Sequence, residues 1–364
     1  MPMKNILIIS GTRPEIIKLA PVYHCLKKEY WTDVTWLHTG QHLEMSESIL
    51  ACFNIEPNII FIREGDTLAE FSIACRRQLE QVMLSQFWSL VIVQGDTESA
   101  FLGGLSAFYH QIPIAHIEAG LRTYDLDHPF PEEGLRQMLS RITYFNFPPT
   151  ERAKNTLLAE AILPELIHVT GNTVVDAQKW IIKNYQIHAQ ILDKKQILMT
   201  MHRRENWGNE IEEACLAIAE LVQRHAGMSI LFPVHTNPIV QELVHKILGN
   251  LANITLIPPL DYLKMQQAIA NSWLILTDSG GIQEEAPSFG IPVLVLRKET
   301  ERPEAVDAGC AKIIGTSRQA ILDNVELLWN DDLLYQSMKS KNNPFGDGRA
   351  SNRIVHILEK NLVQ

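Results

Sequence analysis

Carboxylates gather at the ends of successive apolar runs. Asp96 follows Val91-Ile92-Val93-Gln94-Gly95, Glu118 follows Ile114-Ala115-His116-Ile117, and Glu132-Glu133 follows the segment Pro129-Phe130-Pro131. Carboxylates placed beside one crevice suit general acid and base work, because proximity and partial burial raise their pKa values towards neutrality. A single one is more often a helix cap or a partner for an arginine such as Arg122 or Arg136. Three in succession favour a site.

Two further segments offer groups for an anion. Thr200-Met201-His202-Arg203-Arg204-Glu205-Asn206 follows an apolar run and supplies an imidazole and two guanidinium groups, suited to a phosphate or a leaving group. His235, in Pro233-Val234-His235-Thr236-Asn237-Pro238, reads by itself as a structural histidine. The apolar run Trp273-Leu274-Ile275-Leu276-Thr277 leads into Asp278-Ser279-Gly280-Gly281-Ile282-Gln283-Glu284-Glu285, a small-residue turn that opens a helix. Free backbone N–H groups, two consecutive glycines and the Ser279 hydroxyl suit a diphosphate there. A glycine turn needed only for packing is the plainer alternative. Glu285 suits the sugar hydroxyls of a nucleotide, or else lies on a solvated helix face, and Pro287 should end the helix early.

Near the start, Gly11-Thr12-Arg13-Pro14-Glu15 has capping-box spacing between Thr12 and Glu15, with Pro14 in the first helical turn. It is not the GxGxxG fingerprint, so a nicotinamide enzyme loses its main support. Arg13 and Lys18 put two cations at a helix start, which opposes the helix dipole unless an anion is present. Surface placement fits the same pattern. GxSxG, HExxH and CxxC are all absent, so nothing asks for a metal or a cofactor. The five cysteines, Cys25, Cys52, Cys75, Cys215 and Cys310, read as reduced, packed thiols.

The elements that must carry these groups are legible in the alternation of β-branched runs with amphipathic stretches, the pattern of an α/β fold. Strands are predicted near 5–10, 34–39, 90–94, 112–117, 144–147 and 167–170, and again near 196–201, 229–234, 254–257, 273–277, 292–296 and 312–314. Six and six imply two Rossmann-like, doubly wound domains facing across a cleft, with ligands beyond the carboxyl ends of the strands. The boundary is expected at Gly171-Asn172-Thr173, giving domains 1–170 and 171–350. The turn cluster Asn343-Pro344-Phe345-Gly346-Asp347-Gly348 precedes a terminal helix patterned on Ile354, Ile357, Leu358 and Leu362, expected to pack back on the first domain.

The chain has 364 residues, 46% hydrophobic and 20% charged, enough for two buried cores. A net charge of -10 argues against nucleic acid as a partner, so any phosphate must be bound locally. No apolar run reaches the roughly 20 residues of a membrane helix, and Met1-Pro2-Met3-Lys4-Asn5 runs directly into a strand. The expectation is a cytoplasmic protein without membrane insertion.

Eight ordered motifs together resemble the non-hydrolysing UDP-N-acetylglucosamine 2-epimerases: Gly11 to Lys18, Gln94 to Thr97, His116 to Thr123, Pro131 to Glu133, Gly171 to Val174, His202 to Asn206, Asp278 to Ala286 and Glu301 to Ala305. The resemblance spans nearly the whole chain. It implies two domains of the glycosyltransferase B type, a homodimer, and interconversion of UDP-N-acetylglucosamine and UDP-N-acetylmannosamine for surface polysaccharide synthesis. By the same resemblance Asp96, Glu118, Glu132 and His202 are catalytic. Arg13, Lys18, Ser279, Gly280, Gly281, Glu285 and Arg302 hold the UDP-sugar, and Gln41, Glu44, Arg203 and His235 line a second, allosteric site. The chain departs from the family pattern at Gln94 (usually His), Glu98 (a small hydroxyl residue), Leu135 (Asn), Leu260 and Met265. It departs again at Leu43 and Glu44, where the family carries a basic residue and Gln.

The implied chemistry explains the residue types. The C2 hydrogen of the sugar has no neighbouring carbonyl, so direct carbanion formation is unfavourable. Departure of UDP from C1 acidifies that hydrogen, and a carboxylate removes it to leave 2-acetamidoglucal. This requires acid and base groups on both faces of the sugar, and cations with helix N–H groups for the diphosphate. A glycosyltransferase needs the same diphosphate site with an acceptor where the carboxylates stand, and a nucleotide-sugar-binding regulator needs no carboxylates at all.

Overall fold

Runs such as Ile6-Leu7-Ile8-Ile9 and Leu90-Val91-Ile92-Val93 are fully buried, as expected of parallel strands covered by helices on both faces. The computed structural model describes residues 3–203, 208–339 and 342–363. Arg204, Glu205 and Asn206 of the segment after Thr200 lie outside them. By its internal contacts the chain divides into two units, Met1–Trp180 with Gly346–Gln364, and Ile181–Phe345.

Unit 1 contains β1 (Lys4–Ser10), β2 (Thr32–His38), β3 (Ile59–Ile60), β4 (Leu90–Gln94), β5 (Ile114–Ile117) and β6 (Phe145–Phe147). They form one parallel sheet in the order β3-β2-β1-β4-β5-β6. Unit 2 contains β7 (Lys195–Thr200), β8 (Met228–Pro233), β9 (Ile254–Ile257), β10 (Leu274–Thr277), β11 (Val293–Val295) and β12 (Ala311–Ile313). Its order, β12-β11-β10-β7-β8-β9, repeats the same winding. In each sheet the order reverses where the first and fourth strands of the unit lie side by side, β1 beside β4 and β7 beside β10. Those reversals are the places where such sheets bind ligands. The first core gathers Leu7, Ile9, Phe71, Val91, Val93 and Leu139; the second gathers Ile197, Met199, Ile218, Phe232, Leu276 and Val325.

One predicted strand is corrected. Residues 167–170 run beside β6 but make only an isolated bridge, Asn146 to Ile167. His168 N–H donates to Asn146 O at 2.9 Å and Thr170 N–H to Pro148 O at 3.2 Å. Pro148 and Pro149 have no N–H with which to continue the ladder. The sixth strand is instead the two-residue β3, too short for its side-chain alternation to register, paired through Leu37 with Ile59 and His38 with Ile60.

The change of unit falls inside the helix Thr173–Tyr185, past the Gly171-Asn172-Thr173 turn. Trp180 stays with unit 1 because its indole packs against His24 at 5.4 Å and Phe53 at 5.3 Å. The terminal helix Ala350–Leu362 buries Ala350, Ile354, Val355 and Leu358 within the same unit. Its first N–H groups, those of Ala350 and Ser351, donate to the Asp176 carboxylate at 3.2 and 2.8 Å. That carboxylate acts as a cap supplied from another helix. Among the described residues no helix is long and apolar enough to cross a membrane.

Candidate functional site

In unit 1 the neighbouring strands β1, β4 and β5 end together, and the residues after them carry the carboxylates. Asp96 follows β4 and takes an ion pair from Arg136 at 2.8 Å. Burial pushes its carboxyl up to about 6, with the charges of Glu118 and Glu132 adding to the effect and Arg136 and Lys18 opposing it. A carboxyl so placed exchanges protons near neutral pH. Glu132 is the half-buried first residue of the helix Glu132–Ile142.

Glu118 follows β5 with a backbone φ of 65°. That left-handed conformation costs a residue with a Cβ roughly 1–2 kcal/mol, so surrounding bonds must hold it. Its N–H donates to Phe147 O at 3.1 Å. Its carboxylate takes an ion pair from Lys18 Nζ at 2.5 Å and a hydrogen bond from Asn172 Nδ2 at 3.3 Å, both on Oε1, while Gln94 Nε2 donates to Oε2. Lys18 is itself buried. The anion that its position on the helix called for is therefore supplied by Glu118. Arg13 is exposed at the first position of the same helix, Arg13–Leu26.

Two neighbours serve structure. The capping box expected at Thr12 and Glu15 does not form, because the Thr12 hydroxyl makes no capping bond. Glu15 is buried and accepts from Gly11 N–H at 3.0 Å and from the Thr97 hydroxyl at 2.8 Å, tying the turn after β1 to the turn after β4. Burial raises its carboxyl to about 7 against those hydrogen bonds. Glu133 is fully buried and accepts from Thr123 N–H, Tyr124 N–H and Gln137 at 3.0, 3.1 and 2.7 Å, which pins the loop leading out of β5.

In unit 2 the corresponding reversal joins the ends of β7 and β10. Asp278 is fully buried there and accepts from the N–H groups of His202 and Arg203, each at 3.0 Å. It also pairs with His202 Nδ1 at 2.9 Å, leaving half of that side chain exposed. The carboxylate thus fixes the imidazole and presents its other nitrogen. Ser279 is the N-cap of the helix Gly280–Glu285, yet its hydroxyl makes no capping bond. The helix gives way to a 3-10 turn, Ala286–Phe289, at Pro287.

Neither glycine of this turn has a positive φ. A Cβ at 280 would come no nearer than 3.9 Å to the Arg302 guanidinium, and one at 281 no nearer than 3.9 Å to Ser279 Oγ. A Cβ at either position would meet only ordinary van der Waals contact, so packing within the protein does not by itself require glycine there. Arg302 pairs with the buried Glu284, and Glu285 accepts from the buried Gln266 at 2.7 Å.

The four residues of the expected second site fall two in each unit. Gln41 Oε1 accepts from Ser99 N–H and Oγ at 3.2 and 2.6 Å. Glu44 is exposed in the first turn of the helix Leu43–Cys52, where the helix dipole favours an anion. Arg203 lies 3.9 Å from Glu301, and His235 Nδ1 accepts from Asn237 N–H at 3.1 Å. The arginine partner expected for these carboxylates is Arg136, which pairs with Asp96; sequence reasoning missed the supporting roles of Gln94, Asn172, Gln266 and Asp278. Gln94 and Asp278 had a signal, being polar residues at the last position of a strand and just after one. Gln266 and Asn172 had none, since their partners are set by tertiary packing.

Comparison with known proteins agrees with this fold. A family model described as UDP-N-acetylglucosamine 2-epimerase matches residues 24–359. The UDP-N-acetylglucosamine 2-epimerase of Escherichia coli K12 is 41% identical over 373 residues, covering 99% of each chain. A structure of UDP-GlcNAc 2-epimerase from Neisseria meningitidis bound to UDP-GlcNAc is 41% identical, with a TM-score of 0.90 over 98% of this chain and 100% of that one. The S. aureus MnaA-UDP structure is 44% identical, with a TM-score of 0.88 over 99% and 97%.

Proposed function

The chain belongs to the UDP-N-acetylglucosamine 2-epimerase family, and from that premise we propose that it interconverts UDP-N-acetylglucosamine and UDP-N-acetylmannosamine through elimination and re-addition of UDP. The observation that carries the mechanism is the set of carboxylates at the ends of β4 and β5, one with its carboxyl raised to about 6 and one held by a buried ammonium. A carboxylate takes the C2 proton, the C–H electron pair becomes the C1=C2 double bond, and the C1–O bond breaks with its pair leaving on the diphosphate. Protonation of the opposite face of C2 and return of the diphosphate oxygen to C1 give the epimer.

Asp96, Glu118 and Glu132 are the proton-handling groups in this reading, and Lys18 acts through Glu118 as well as on the nucleotide. His202, Arg13, Ser279, Gly280, Gly281 and Arg302 hold the diphosphate, and Glu285 the sugar hydroxyls of the nucleotide. Preorganised donors of this kind stabilise the charge that develops on the departing oxygen. No cofactor enters the scheme. The enzyme is proposed to work as a cytoplasmic homodimer whose product supplies surface polysaccharide.

The test is NMR of UDP-N-acetylglucosamine with the purified protein in heavy water and no acceptor. Both epimers should appear, each carrying deuterium at C2. Interconversion with the original hydrogen fully retained would rule out solvent exchange. Absence of turnover until an acceptor is added would favour a glycosyltransferase instead.

A second expectation concerns activation by substrate. Leu43 and Glu44 remove a cation and add an anion where the resemblance puts the diphosphate of an effector. At an effective dielectric near 20, one charge about 6 Å from a phosphate is worth roughly 2–3 kcal/mol before solvent screening. Activation should therefore be weak: UDP-N-acetylmannosamine alone should turn over without a long lag, and forward kinetics should be nearly hyperbolic. A long lag abolished by a trace of UDP-N-acetylglucosamine would show that the substitutions do not disable the site.

A further inference from the structure

Gln94 is the last residue of β4, buried, and the mechanism above does not use it. Its amide nitrogen donates to Glu118 Oε2. The amide orientation follows from chemistry, because an ionised carboxylate only accepts and the flipped amide would set oxygen against oxygen. Asn172 is oriented independently, since its Oδ1 accepts Val174 N–H at 3.0 Å and so turns Nδ2 towards Glu118 Oε1. The two oxygens of Glu118 are thus held from three separate segments: the helix Arg13–Leu26, β4, and the turn before the helix Thr173–Tyr185. With its backbone at φ 65°, Glu118 depends on these bonds for its place.

We propose that Gln94 is a positioning residue for the epimerisation, its amide fixing Oε2 of Glu118 and favouring the ionised carboxylate that begins the forward reaction as base. The inference rests on the proposed function. A hydrogen bond to the charged form of an acid favours that form. Charged and titratable groups around Glu118 include Lys18 on the first helix, Asp96 after β4 and His116 on β5, with Glu132 and Arg136 of the helix Glu132–Ile142 acting on Asp96. Lys18 favours the anion, whereas Asp96 opposes it. His116 is neutral, because burial pushes its imidazole down to about 4. Gln94 carries no charge, so replacing it removes one donor and leaves the surrounding field intact.

Gln94→Met keeps the length of the side chain and deletes the donor. In the full-length protein it should lower the forward kcat about 10-fold and move the acid limb of the kcat–pH profile up by about half to one unit, with KM within about twofold. Gln94→His returns an N–H donor and should recover most of both effects. An unmoved acid limb in Gln94→Met, or a rise in KM matching the fall in kcat, overturns the proposal. Should Gln94→Met fail to fold, Gln94→Asn, which withdraws the donor by one methylene, is read by the same criteria. Should the wild type show no turnover, it is the proposed function that fails. The 13C-detected titration of the Glu118 carboxyl then decides about Gln94, with an upward move in Gln94→Met expected and an unchanged titration overturning it.

Discussion

Glu118→Gln is expected to lower kcat by at least about 100-fold, the usual scale for a positioned acid or base, and Glu132→Gln to fall in the same range. The amide keeps the size of the carboxylate and loses its proton chemistry. It also leaves the buried Lys18 without its closest anion, and a buried charge deprived of its partner is destabilising. The expected decrease must therefore be read beside a thermal unfolding transition. A folded Glu118→Gln protein with near-normal KM and a kcat two or more orders down identifies the carboxylate with the chemical step. Both variants should also release UDP and 2-acetamidoglucal, since an intermediate that is slowly reprotonated has time to escape. Near-normal turnover in both would return these carboxylates to a structural role.

Gly281→Ala should weaken UDP binding by about 5- to 150-fold, corresponding to the roughly 1–3 kcal/mol cost of forcing a methyl group into an occupied contact. The same change should leave the free protein slightly more stable, by about 0.5–1 kcal/mol, because alanine replaces glycine in a helix whose backbone it fits. The added methyl would lie 3.9 Å from Ser279 Oγ with nothing nearer. Opposite signs for stability and affinity separate a ligand-facing glycine from a packing one. Calorimetric titration with UDP and a denaturation curve on the same preparation decide the point. Unchanged UDP affinity would show that the diphosphate does not approach this turn.

The βα alternation was readable because parallel strands covered on both faces are uniformly apolar and end in polar turns. Among the described residues eleven of the twelve strands were placed that way, and the miss at 167–170 has a local cause, the two prolines that deprive the neighbouring edge of donors. Asp96 and Glu118 were visible because each stands within two residues of the end of a strand. The pairing of Glu118 with Lys18 was not, since that helix residue meets it from a hundred positions away, and no spacing rule reaches that far. Thr12 and Glu15 show the reverse case, where local spacing predicted a capping box and tertiary burial redirected the carboxylate to Gly11 and Thr97. The boundary inside the helix Thr173–Tyr185 carries no turn residue to mark it.

The terminal helix, whose first N–H groups rest on Asp176, makes unit 1 discontinuous in sequence while unit 2 is one uninterrupted segment. Order of synthesis and order of completion are therefore inverted. As the chain leaves the ribosome, the sheet of unit 1 emerges first but lacks the terminal helix, which brings the buried Ala350, Ile354, Val355 and Leu358. Unit 2 has its full complement of strands and helices earlier, and domains fold as units during synthesis. The first half of the protein is thus completed last, and until then the Asp176 carboxylate and the apolar face beside it wait exposed for their partner.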